Sequence, residues 1–72
     1  MRRIASTATG YIQVLDDETL LRVAVRNDLM LHLRYQPGDY VHVGRVLIEA
    51  WPASRLTEEV AGELRTCFGL GD

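Results

Sequence analysis

Seventy-two residues with a net charge of −2 make one small domain, and a composition of 47% hydrophobic and 25% charged residues is that of a folded globule. The acidic balance and scattered arginines argue against a phosphate-neutralising nucleic-acid face, and the lone Cys67 excludes an internal disulfide. No apolar run approaches the roughly 20 residues that span a bilayer, and the charged start lacks the apolar core of a signal peptide.

Residues 1–9 are small and polar apart from Ile4 and the two arginines, and are predicted to be flexible. Gly10 opens Tyr11-Ile12-Gln13-Val14-Leu15, whose aromatic and β-branched residues read as a strand. Asp16-Asp17-Glu18-Thr19 is a helix start, with an N-cap acid and further acids facing the positive end of the helix dipole. The spacing predicts a helix over residues 17–26, closed by Asn27-Asp28, although its valines would suit a strand. In Leu29–Tyr35 the apolar Leu29, Leu31, Leu33 and Tyr35 alternate with Met30, His32 and Arg34, the pattern of a half-buried strand.

Pro37-Gly38 suits the centre of a type II turn, where proline presets φ and glycine takes the positive φ. Tyr40–Val43 reads as a short strand, Gly44 as a turn or bulge, and Val46–Trp51 as the next strand, which Pro52 ends. Leu56, Val60, Leu64 and Cys67-Phe68 then recur at helical spacing, with Thr57 or Ser54 as the cap and Gly69 as the stop. Gly62 inside that helix points to close packing. The predicted core is Leu31, Leu33, Val41, Leu47, Leu56, Val60, Leu64 and Phe68.

Candidate chemistry is sparse. If Pro37-Gly38 closes a hairpin, His32 and His42 lie on neighbouring strands and, with Asp39 or Glu49, become weak candidates for a metal or enzymatic site. No recognised ligand spacing is present, and two solvent-facing histidines are the preferred reading. The acids at 16–18 are explained by helix capping, and Cys67, at an apolar helix position, reads as a buried, inert thiol. Tyr40 and Trp51 are interface candidates, since large amphipathic rings are enriched where partners bury them.

The run from Gln36 to Glu49 resembles part of the barrel-sandwich domains that carry biotin or lipoate, with Gly38, Val41, Gly44 and Leu47 at turn and core positions. Those domains attach the cofactor to a lysine, and this chain has none, so no cofactor and no covalent biotin or lipoate are expected. Arginine is no substitute, because its guanidinium stays protonated.

Four pieces taken in order, Gly10-Tyr11-Ile12-Gln13, the acidic helix start, Pro37-Gly38-Asp39-Tyr40-Val41 and Trp51-Pro52 with its following helix, resemble the extramembrane region of a family of predicted bacterial integral membrane proteins, domain of unknown function 2254. Thr9 stands where that pattern has serine. The resemblance covers about residues 9–70 and brings no catalytic residues. It implies a soluble domain excised from a longer chain and tethered to a bilayer through it, on a side the sequence does not assign.

The expected fold is therefore α+β: a small barrel-sandwich-like β structure centred on the Pro37-Gly38 and Gly44 turns, with one inserted and one C-terminal helix. Gly10, Pro37, Gly38, Asp39 and Gly44 are its turn and fold residues. The leading functional expectation is a non-catalytic extramembrane domain for assembly or ligand sensing, a homo-oligomer partnered by the rest of its membrane-spanning parent. One alternative is a free-standing lipoyl- or biotinyl-like docking module without the lysine. The other is a small metal or enzyme domain using His32 and His42.

Overall fold

The computed structural model describes residues 1–71. In chain order the elements are β1 (Arg2–Ala5), β2 (Gly10–Leu15), α1 (Asp17–Arg26), β3 (Met30–Leu33), β4 (Tyr40–Val41), β5 (Val46–Trp51), a 3₁₀ turn (Ala53–Arg55), α2 (Glu58–Thr66) and β6 (Phe68–Gly71). The fold is α+β, with two antiparallel three-stranded sheets ordered β1-β5-β3 and β4-β2-β6. The sheets are not closed into a barrel.

Both helices begin as their sequences dictate. The Asp16 carboxylate accepts from the backbone N–H of Thr19 at 3.1 Å and from its hydroxyl at 2.6 Å. Leu20, Val23 and Ala24 then form the buried face of α1, so tertiary burial overrides the modest helix propensity of the valines. Of the two candidate caps for α2 it is Thr57 that serves, its hydroxyl accepting from the Val60 N–H at 3.1 Å. The helices are joined across their exposed sides by Arg26 and Glu63 at 2.6 Å.

One core collects the inner faces of both sheets and the apolar faces of both helices. Its members include Ile4, Ile12, Leu20, Val23, Val41, Leu47, Ile48, Leu56, Val60, Leu64 and Phe68. Leu31 and Leu33 pack against it but stay half-buried, because β3 is an edge strand.

Four expectations are corrected. The amino terminus is not frayed: β1 pairs with β5 from Arg2↔Ala50 to Ala5↔Val46, and burial of Ile4 to 1% exposure fixes it. Pro37-Gly38 does not close a hairpin. β3 pairs with β5 and β4 with β2, so the turn carries the chain from one sheet to the other and the strands around it are not the centre of the fold. The second helix ends at Thr66, and Phe68–Gly71 is a strand on β2, where the small glycines permit close approach. Gly62 faces open space: among the described residues, no atom beyond its chain neighbours and its own helix backbone lies within 4 Å of where a Cβ would be.

The turn chemistry itself holds. Asp39 N–H donates to the Gln36 carbonyl at 3.0 Å with Gly38 at φ +97°, and Arg45 N–H donates to the His42 carbonyl at 3.1 Å with Gly44 at φ +90°. Both turns thus place glycine where L side chains are strained. Trp51-Pro52, a cis peptide bond, ends β5.

Candidate functional site

Two surfaces gather the side chains that carry chemistry or apolar area without being used up by the core. The first is the outer face of the β1-β5-β3 sheet. Arg3, Glu49 and His32 stand in register across its three strands, because Arg3 pairs with Glu49 and Glu49 with His32. Glu49 is the hub: His32 Nδ1 lies 2.9 Å from its Oε1, and Arg34 Nη1 and Arg3 Nε lie 3.5 and 4.0 Å from its Oε2. Its side chain is only 13% exposed, whereas those of Arg3, Arg34 and His32 are more than half exposed. Solvent therefore meets cations with the carboxylate beneath them.

The next row of this face is apolar. Met30 pairs with Trp51, and both remain exposed, Met30 to 70%. With Met1, Asp28, Leu29, Pro52 and Ala53 they line an open cleft of about 460 Å³. At the other end, Arg34 and Arg45 share a cleft with Tyr35 and Val46.

The second surface lies where β3 leaves α1. Leu20, Leu21, Ala24, Leu29, Leu31 and Leu33, with Asp17, line a groove of about 320 Å³. Leu21 and Val25, one helical turn apart on α1, are 67% and 71% exposed. Among the described residues the far edge of β3 has no neighbouring strand. Since the Arg34 N–H points to the Leu47 carbonyl of β5, the alternation of an antiparallel ladder turns the N–H groups of Leu31 and Leu33 toward that open edge.

The residues singled out in the sequence fall as follows. His32 and His42 are separated into different sheets: His32 joins Glu49, while His42 follows β4 with its ring 5.0 Å from that of Tyr40. Among the described residues no group of three or more His, Cys, Asp or Glu side chains is placed to hold a metal ion. Tyr40 stacks edge-to-face on Tyr11 at 4.8 Å, half-exposed. Asp39 stabilises its own turn, its Oδ2 accepting from the Gln36 N–H at 2.9 Å. The Asp39 carbonyl accepts from the Ile12 N–H, and Ile12 in turn accepts from the Gly38 N–H, each at 2.9 Å. Gly10 is demanded by the Gly71 carbonyl, 2.6 Å from where its Cβ would lie. Cys67 is buried at the end of α2, and burial first, then the charges of Asp16 and Glu63, push its thiol up.

Arg3, Leu21 and Val25 are surface residues that the sequence motifs do not single out. Arg3 sits in a segment whose strand character is carried by a single buried isoleucine. Leu21 and Val25 lie off the buried Leu20–Val23–Ala24 face, which a helical projection of residues 17–26 reveals.

Among the described residues no helix is long and apolar enough to cross a membrane. Comparison with curated proteins and with solved structures gives no match. Over residues 1–72 the chain matches, and so belongs to, the family described as "Predicted membrane protein (DUF2254)".

Proposed function

We propose that this is a non-catalytic extramembrane domain of its parent membrane protein, and that it assembles by pairing with a second copy of itself through β3 and α1. The observation that carries the reading is the open edge of β3, flanked by half-buried leucines and by the exposed Leu21 and Val25. An unpaired edge beside apolar side chains is a template for another strand. Antiparallel pairing of identical edges about a two-fold axis is the simplest closed way to satisfy it. A small domain also has much to gain from association.

The non-catalytic half of the reading is supported by how the reactive groups are occupied. Asp16 caps α1, Glu49 is engaged by two arginines and a histidine, and Cys67 is buried with its thiol pushed up. The guanidinium groups around Glu49 also oppose a metal cation there.

Light scattering across a concentration series tests it. The expected mass is twice the 8.1 kDa of the chain. The double variant Leu21→Glu/Val25→Glu should shift the equilibrium to monomer with little loss of fold, because both side chains are exposed. A monomer of the unchanged chain at every concentration sinks the proposal.

A further inference from the structure

We infer that the outer face of the β1-β5-β3 sheet is a docking surface for an anionic lipid bilayer. This is a different surface from the β3–α1 edge and does not depend on self-association. Three observations converge on it.

The first is charge. Arg3 and Arg34 surround the carboxylate of Glu49, Arg45 shares a cleft with Arg34, and Asp28 in the apolar cleft is paired with Arg55. With four arginines against two carboxylates, this face is at +2 while the whole chain is at −2. Six of the ten acids lie elsewhere: Asp16, Asp17, Glu18, Glu58, Glu59 and Glu63 start or line the two helices. Those helices bury their apolar faces in the core on the inner side of the sheet. The molecule therefore has a cationic sheet face and an acidic helical side, and a negative surface orients it one way.

The second is depth. Because Glu49 is 13% exposed beneath Arg3 at 64% and Arg34 at 52%, the guanidinium groups and not the carboxylate meet an approaching phosphate. Planar guanidinium forks suit phosphate oxygens better than a point-charge ammonium does.

The third is the apolar row beside the cations. Trp51, Met30 and Met1 border the same open cleft and are all exposed. A tryptophan next to arginines is the composition of a bilayer interface, where the ring sits at headgroup depth and cations meet lipid phosphates. The family to which the chain belongs places a bilayer in the same polypeptide's surroundings.

The chain has one tryptophan, so its fluorescence reports on this face alone. The 72-residue chain is titrated with vesicles of phosphatidylcholine and phosphatidylglycerol in equal parts, and separately with phosphatidylcholine alone. The expected result is a blue shift of Trp51 emission with the anionic vesicles only, and quenching by lipids brominated near the headgroup. Binding should disappear at 1 M salt, where the Debye length is about 3 Å. Each of Arg3→Gln, Arg34→Gln and Arg45→Gln should weaken partitioning about fivefold, whereas Arg22→Gln on α1 should not.

Equal binding to both vesicle types, or no shift with either, overturns the inference. So does a Trp51 shift that follows protein concentration without vesicles, which would assign the face to a second copy. The Leu21→Glu/Val25→Glu variant separates the two proposals: it should bind anionic vesicles as the unchanged chain does, whether or not the unchanged chain self-associates.

Discussion

Both sheets bury large side chains in the common core, Ile4 and Ile48 from β1-β5-β3 and Ile12, Val41 and Phe68 from β4-β2-β6, but the second sheet also closes backbone directly on backbone. In the first, the central strand β5 contributes Ile48 and Ala50, both fully buried, and its neighbour β1 contributes Ile4. β3 alternates between the core and the Glu49 ion-pair face, and so does β5 from Ile48 to Trp51, while Leu47 is buried beside Ile48 where the register with β1 shifts. In the second, β4 is two residues long and β6 carries Gly69 and Gly71. Gly10 meets Gly71 so closely that a Cβ would lie 2.6 Å from its carbonyl oxygen. Much of its stitching is main-chain: Gly38 N–H to Ile12 carbonyl, Ile12 N–H to Asp39 carbonyl and Asp16 N–H to Cys67 carbonyl, each at 2.9 Å. Antiparallel pairing can thus be specified by interdigitating side chains or by letting backbones close on one another, and the second sheet should be the more sensitive to an added Cβ.

The most damaging change should be a deletion of volume in the first sheet. Ile48→Ala removes a fully buried side chain from its central strand. The expected loss is about 2–5 kcal/mol, against a total of about 4–11 kcal/mol for a domain of this size. Urea unfolding should show a large fall in midpoint with unchanged slope. The converse test adds one methyl to the second sheet. Gly10→Ala sets a Cβ against the Gly71 backbone, which cannot rotate away as a side-chain tip can. About 1–3 kcal/mol should be lost, with amide exchange accelerated in β2 and β6 and little changed in β5. Uniform acceleration in both sheets would break the comparison.

The same difference explains what could be read from the sequence. Val46–Trp51 and Leu29–Tyr35 announce themselves because alternating or continuous apolar side chains leave a periodic trace. The Asp16 and Thr57 caps are legible because short polar side chains before an apolar periodicity have one dominant use. β6 is hidden because Phe68-Gly69-Leu70-Gly71 has glycine at two of four positions, and a glycine after a helix reads more readily as its stop. β1 is hidden because only Ile4 marks its buried face. The pairing of β3 was misread for a separate reason: Pro37-Gly38 makes a type II turn whether or not its flanking strands pair with each other. With the hairpin absent, His32 and His42 are not neighbours, although both face solvent and His32 does meet Glu49. The cationic face was illegible for the same cause, since Arg3 and Arg34 meet only through the intervening β5.

A glycine outside both sheets sharpens the claim that Gly10 is required by contact and not by residue type. Gly62 lies within α2 and, among the described residues, has nothing beyond its chain neighbours and its own helix backbone near the position of a Cβ. Gly62→Ala should therefore stabilise the domain, by up to about 1 kcal/mol, through helix propensity and a less flexible unfolded chain. A rise in urea midpoint checks it. A fall would mean that α2 approaches another element more closely than its open face indicates, and the contrast with Gly10 would be lost.

The smallest expected effect lies where the second sheet meets α1. The Asp16 carboxylate is held below its ordinary value of 3.8, chiefly by the Thr19 hydroxyl and then by the Thr19 backbone N–H. A group whose pKa is lower in the folded than in the unfolded state binds fewer protons when folded, so its contribution is present in full above 3.8. That contribution is lost as pH falls below 3.8 and through the lowered folded value. Asp16 also donates its N–H to the Cys67 carbonyl, continuing the β2–β6 ladder past Leu15↔Phe68. Acid should accordingly loosen the start of α1 and the Leu15–Phe68 end of the second sheet before it reaches β5. Asp16→Asn keeps an oxygen acceptor for the cap and removes the titration, so its stability should vary less with pH over that window. Urea unfolding of both chains from about pH 5 to pH 2, with amide exchange at Leu15, Thr19 and Phe68, measures this. If the asparagine variant follows the same acid slope as the unchanged chain, the acid sensitivity belongs to another carboxylate, and the junction at Asp16 is not where the second sheet first gives way.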